Sequence, residues 1–245
     1  MSAQIEVDAE RSKLLVAYCR AHLGEPIDWK AMAGYPTSLA LCVIDSIQST
    51  GPHYTSVMNV VSRYRGYRLG QGGNAYTDGA QALLTTFDEL NGPEMTTDGW
   101  ADTIGNHNRT YQRKQAPLKS VAIRQAAQRL AEAGVDSTDQ LRLIAETDPT
   151  RFEQLHVAWL SVVSQSSGIT WDYFLMLAGI PGVKPDRMVI RFVAAALGVN
   201  VTQVSPALAS SLVRAAAEQF NVPATTLDHA IWRFLSGRFS GTDAG

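Results

Sequence analysis

The sequence predicts an all-α protein of two helical lobes. Three observations carry that reading. Apolar residues recur three and four positions apart, residues that start and stop helices bound the periodic segments, and strand-like alternation is scarce.

Ser12 to Leu23 has the helical spacing and ends at Gly24 and Pro26. Pro36 and Thr37 open a strongly apolar helix through LALCVIDSIQS, stopped by Gly51-Pro52. Tyr54 to Tyr64 reads as a third helix. The glycine-rich stretch after it, residues 65–81, lacks the spacing and trailing Lys-Ser/Thr of a phosphate loop and reads as a connection. Helices follow at about 79–90, 118–133 and 137–145. In the second of these Val121, Ala122, Ala126, Leu130 and Ala133 form the apolar stripe, and Gly134 ends it. Asp148-Pro149 begins a helix over Arg151 to Val163. A polar hairpin, Ser164 to Gly168, separates it from Ile169 to Ala178. The short loop Gly179 to Pro185 leads into Asp186 to Leu197, and helices at 206–220 and 225–237 follow.

The 245 residues are 45% hydrophobic and 18% charged, an ordinary globular composition. No apolar run approaches the roughly 18 to 20 residues that span a bilayer, and the first residues are polar and acidic, so a soluble cytoplasmic protein is expected. Cys19 and Cys42 lie in apolar stretches and read as core thiols, without the number or spacing of a disulfide, zinc or iron–sulfur framework. His22, His53, His156 and His229 have no metal-like spacing. No cofactor or metal is expected. Net charge is −2, yet Arg109, Arg113, Lys114, Lys119, Arg124 and Arg129 occur with no acidic residue between Thr103 and Ala131, and Arg63, Arg65 and Arg68 form a second such stretch. One basic face on an otherwise acidic protein suits phosphate binding.

The segment 151–197 carries the chemistry: helix, polar hairpin, helix, short Pro/Gly loop, then a helix beginning at Asp186. A tight turn between helices presents backbone N–H groups that hold a DNA phosphate without reading sequence. At a helix N-terminus the exposed N–H groups favour an ionised carboxylate at Asp186. This order of elements, with Asp186-Arg187-Met188-Val189-Ile190-Arg191, resembles the helix-hairpin-helix DNA glycosylases of the endonuclease III type. Val189 and Arg191 match that family's pattern, while Met188 stands where it has His. Aligned without gaps, Ser164 to Gly168 falls on the hairpin. Leu39 to Thr50 is similar to the family's early helix, with Gln48 at the position of a residue that fills the gap left by a flipped nucleotide. The segment LDHAIWRFLSGR resembles its last barrel helix.

The resemblance implies a divergent, two-lobed endonuclease III-like fold without an iron–sulfur cluster, with 36–150 as a helical barrel lobe and 1–35 with 151–245 as the second. It implies a monofunctional DNA glycosylase, active in base excision and DNA repair as a monomer on duplex DNA holding an altered base. The base flips into a pocket and Asp186 stabilises the oxocarbenium-like sugar and activates water. Gln48, Ser164, Gln165, Ser166, Ser167, Gly168, Arg109 and Arg187 are the expected DNA contacts, and Trp171, Tyr173 and Trp232 the candidate base-pocket residues. The hairpin departs from the family's Gly-hydrophobic-Gly, and Gly168 replaces the Lys of the lyase members, so strand cleavage through a Schiff base is not expected. The alternative reading is a helix-hairpin-helix DNA-binding protein without catalysis, and Asp186 also has the ordinary role of a helix N-cap open to it.

Overall fold

The computed structural model describes residues 2–51, 54–92 and 96–237, with the side chains of residues 2–8 left aside. Pro52, His53 and Arg238, which figure in the sequence reading, lie outside the described residues. Among the described residues there are twelve α-helices and no strand, only an isolated antiparallel bridge between Arg109 and Leu118. No described helix is long and apolar enough to cross a membrane. The chain forms two compact units, 34–180 and 1–33 with 181–245.

The larger unit is built around α2 (Leu39–Gln48), every residue of which is buried. Ser38 starts this helix by accepting from the Leu41 N–H at 3.2 Å and donates its own hydroxyl to the Ala75 carbonyl at 2.7 Å. Around it run α3 (Tyr54–Gly70), α4 (Ala80–Asn91), α5 (Asp98–Thr103), α6 (Lys119–Glu132), α7 (Thr138–Thr147), α8 (Pro149–Leu160) and α9 (Ile169–Leu177). The helix α3 runs six residues beyond the expected Tyr64, into the glycine-rich stretch. Its added turns are held because Arg68 grips the Asp78 carboxylate at 2.6 and 3.1 Å and the Tyr64 hydroxyl donates to it at 2.9 Å. Sequence periodicity also missed the short α5, whose Trp100 stacks on Phe87 at 4.6 Å and donates to Thr86 at 3.0 Å.

Residues 151–180, expected in the second lobe, belong to this larger unit. The physical reason is packing: α8 lies against α6 and α7, and α9 lies against α2. Trp159, Trp171 and Phe174 form an aromatic block there, with centroids 4.6 to 5.7 Å apart.

The smaller unit joins the two ends of the chain. The helix α1 (Ser2–His22) packs on α10 (Arg187–Leu197) and α11 (Pro206–Phe220), and α12 (Ala224–Leu235) closes the group. Leu15, Cys19 and Leu23 share its core with Phe192, Val193, Leu212, Val213, Leu227 and Ile231. Both cysteines are buried free thiols, and burial pushes Cys19 up to about 12.

Tyr35, Tyr64 and Tyr173 are raised well above the ordinary 10.0, first by burial and then by the charge of Asp45 or Asp78. A phenol whose folded pKa exceeds its unfolded one adds stability that is complete below about pH 10 and lost as pH rises above it. The melting temperature is therefore expected to fall steeply between about pH 10 and 11. Tyrosinate absorbance should appear together with unfolding in pH-stepped melts; ionisation of these phenols in the folded protein would count against the burial.

Candidate nucleic-acid interface and active site

The hairpin between α8 and α9 is a strained turn pinned from inside. Ser164 and Gly168 both adopt left-handed backbone, with φ of 62° and 76°. That conformation costs a non-glycine residue about 1 kcal/mol or more. What holds it is Gln165, which was expected to meet DNA but is only 2% exposed. Its carbonyl oxygen accepts from the Thr170 hydroxyl at 2.7 Å, and Thr170 in turn accepts from the Trp159 indole at 3.0 Å. The Gln165 side chain is therefore a peg in the core, not a phosphate ligand. Ser166 and Ser167 are exposed, and among the described residues no hydrogen bond engages the backbone N–H of Ser166, Ser167 or Ile169. Gly168 is half-buried; a Cβ there would meet Leu160 and His156 at ordinary distances, so backbone conformation rather than space selects glycine.

A basic loop joins the hairpin. Ser164 donates to or shares a proton with Thr110 at 3.0 Å. The loop closes through Thr110 N–H to Pro117 O at 3.0 Å and Lys119 N–H to Asn108 O at 2.9 Å. Arg109, an expected DNA contact, is exposed but turns its guanidinium back onto the Ala116 carbonyl. The tip, Tyr111 to Gln115, is exposed, and its Arg113 and Lys114 make no ion pair among the described residues. Lys119 is not part of this face. It is 1% exposed and donates to the Gln48 and Thr50 carbonyls at 2.8 and 2.6 Å, a cation on the C-terminal end of α2.

Gln48 is fully buried rather than projecting. Its side-chain oxygen accepts from Asn106 at 3.3 Å, and its Nε2 has no hydrogen-bond partner. Filling a gap in a duplex from this position requires the side chain to leave the core.

In the smaller unit Asp186 is the N-cap of α10, as its position in the sequence requires. Oδ1 accepts from the Met188 and Val189 N–H groups at 2.7 and 3.3 Å, whereas Oδ2 takes no hydrogen bond among the described residues. The preceding loop is pinned to α12: Gly182 N–H donates to Thr225 at 2.9 Å and Lys184 N–H to Asp228 at 2.9 Å. Asp186 is thus half-buried on a fixed loop, with one oxygen anchored. Arg187 and Arg191 are exposed and form no ion pair with it.

The candidate pocket aromatics fall in both units. Trp171 is 4% exposed and belongs to the aromatic block of α8 and α9. Trp232 is half-buried in the smaller unit and stacks on His229 at 5.6 Å. Tyr173 is half-buried in the larger unit among groups the sequence reading passed over. Asp45, 0% exposed, accepts from the Tyr35 hydroxyl at 2.8 Å and the Ser49 hydroxyl at 2.7 Å. Tyr173 bonds to Ser49 and feels the charge of Asp45. The one available signal was a lone carboxylate in the apolar run LALCVIDSIQ. No three His, Cys, Asp or Glu side chains converge as a metal-binding group among the described residues.

The chain matches no curated protein and no solved structure. Residues 13–236 match a family over almost the whole described length. The chain belongs to that family, described as a domain of unknown function (DUF8548).

Proposed function

We propose that the protein is a monofunctional DNA glycosylase of endonuclease III-like fold that hydrolyses the N-glycosidic bond of an altered base in duplex DNA and leaves an abasic site. The observation that carries the reading is Asp186: a carboxylate on a pinned loop, held at a helix start through one oxygen, with the other unbonded. As the base departs, the sugar gains oxocarbenium character; the carboxylate stabilises that charge and orients the attacking water. The Met188 and Val189 N–H groups hold the carboxylate in place through Oδ1 for this role. Gly168 offers no amine, so the reaction ends at the abasic site.

The free N–H groups of Ser166, Ser167 and Ile169, beside the exposed Arg113 and Lys114, support phosphate binding on the larger unit. Replacing both cations, Arg113→Ala with Lys114→Ala, is expected to weaken duplex binding equally across sequences. The slope of log affinity against log salt should drop by about 1 to 2. An unchanged slope in titrations at several salt concentrations would remove the loop from the interface.

The inward positions of Gln48 and Gln165 favour a second reading, a DNA-binding protein without catalysis. Alkali-revealed abasic sites in a panel of duplexes bearing alkylated, oxidised, deaminated and hypermodified bases separate the two. Release from one panel member supports the glycosylase; salt-dependent binding with every duplex intact supports the second reading.

A further inference from the structure

The three arginines of the basic stretch on α3 have different fates. Arg68 is neutralised by Asp78. Arg63 commits its guanidinium to the Ile104 and Gly105 carbonyls. Arg65 makes no hydrogen bond and no ion pair among the described residues.

What holds Arg65 instead is a pair of rings. Its guanidinium carbon lies 4.8 Å from the Tyr76 ring centre and 5.7 Å from that of Tyr35, within cation–π range of both. The inner tyrosine is fixed: its hydroxyl donates to the buried Asp45 at 2.8 Å and its N–H to the Leu177 carbonyl at 2.7 Å. The outer one is tied through its backbone, N–H to Asn74 at 3.1 Å and carbonyl to the Thr37 hydroxyl at 2.8 Å. Of the three guanidinium nitrogens only Nε is sealed from solvent, so Nη1 and Nη2 are open and unbonded. Tyr76 is 58% exposed and Leu69, one helical turn beyond Arg65, is 77% exposed, so this edge opens on the surface rather than the core.

A guanidinium braced between rings has already given up much of its rotamer freedom, and an oxyanion that takes its open edge orders little more. The planar fork matches two oxygens of a phosphate or a carboxylate. Phosphate is favoured by the surroundings. Residues 61–77 contain no acid, Arg63 is exposed two positions away, and Arg113 and Lys114 add further positive charge on the same unit. Charge spread in this way suits a repeating phosphate backbone.

We propose that Arg65, braced between Tyr35 and Tyr76, is a phosphate anchor for duplex DNA, additional to the 164–168 hairpin and the 113–114 loop. The proposal rests on the DNA-binding part of the function proposed above, and it is measurable without catalysis.

The probe is an undamaged duplex, titrated by fluorescence anisotropy into the full chain at several salt concentrations. Arg65→Ala strips no partner of a hydrogen bond and suits a helix, so it should fold. It is expected to bind about tenfold more weakly at low salt, and the slope of log affinity against log salt should drop by about 1. Arg65→Lys should keep the slope and lose about threefold or more, because an ammonium does not fill the fork. Tyr76→Ala, which frees the guanidinium without removing charge, should behave like Arg65→Lys. An unchanged slope in Arg65→Ala overturns the anchor, and so do Arg65→Lys and Tyr76→Ala proteins that bind as wild type, since Arg65 is then one more surface charge. A wild type that binds no duplex overturns it too; Arg65-dependent binding of an acidic peptide would then make the partner a carboxylate. Base release and duplex binding both indifferent to Arg65→Ala overturn the anchor and leave the glycosylase standing. Arg65-dependent binding by a protein that releases no base from any duplex upholds the anchor and removes the glycosylase.

Discussion

Asp186→Asn is expected to cut base release by about a thousandfold while leaving duplex affinity and fold nearly unchanged. The asymmetry follows from two roles in one side chain. As a cap, Asn accepts from the Met188 and Val189 N–H groups through its carbonyl oxygen, and Asn and Asp are nearly equal in that position, so stability should move by less than about 1 kcal/mol. As a counter-charge to an oxocarbenium-like sugar, a neutral amide is no substitute, and it does not take a proton from water. Asp186→Ala separates the roles further: it should lose release to the same extent and, in addition, about 1 kcal/mol of stability. Single-turnover release on the duplex that wild type processes, together with urea melts, reads both quantities. Undiminished release in Asp186→Asn would leave Asp186 as a helix cap and nothing more.

Gly79→Ala is expected to destabilise the larger unit by about 3 kcal/mol or more. Gly79 precedes α4 with ordinary negative φ, so conformational freedom is not the reason for glycine there. A Cβ at this site would overlap the Asp136 carbonyl oxygen and carboxylate, two groups that cannot simply swing aside. The carboxylate accepts from the Gln81 N–H at 2.8 Å, and the Asp136 N–H donates to Gln140 at 2.7 Å, so the turn before α7 is tied to the start of α4. Gly66 supplies the contrast. It lies within α3 with open space around its Cβ position, and Gly66→Ala should stabilise by about 0.5 to 1 kcal/mol through helix propensity alone. Denaturant midpoints decide both; a Gly79→Ala midpoint equal to wild type would mean that the two backbones do not touch.

Helices were the most legible level. Most observed bounds lie within two residues of those expected, because amphipathic spacing and local caps such as Ser38, Ser137, Asp148, Asp186 and Ser205 act within a turn of the residues they control. The start of α1 at Ser2 rather than Ser12 has no such local signal, and two other departures have distant causes. The end of α3 is set by Asp78, eight positions after Gly70, and the allegiance of 151–180 by packing on α2, α6 and α7. The direction of a polar side chain was not legible at all. Gln48, Gln165 and Lys119 have the polarity of surface residues; Gln48 and Lys119 are buried where an amide or carbonyl from a remote segment meets them, and Gln165 where the Thr170 hydroxyl of its own hairpin does. Asp45 was hidden for the same reason: its partner Tyr35 lies before the helix, ten positions away, and Tyr173 more than a hundred.

The smaller unit has a consequence for biogenesis. Its core needs α1 together with α10, α11 and α12, so α1 finds its neighbours only after residues 187–235 have been made. The 34–180 unit is complete in sequence earlier and can fold during synthesis, whereas α1 waits with Leu15, Val16 and Cys19 uncovered. Nascent chains stalled near residue 180 should therefore display the uncovered Leu15, Val16 and Cys19 of α1 to holdase chaperones, and chains released after residue 235 should not.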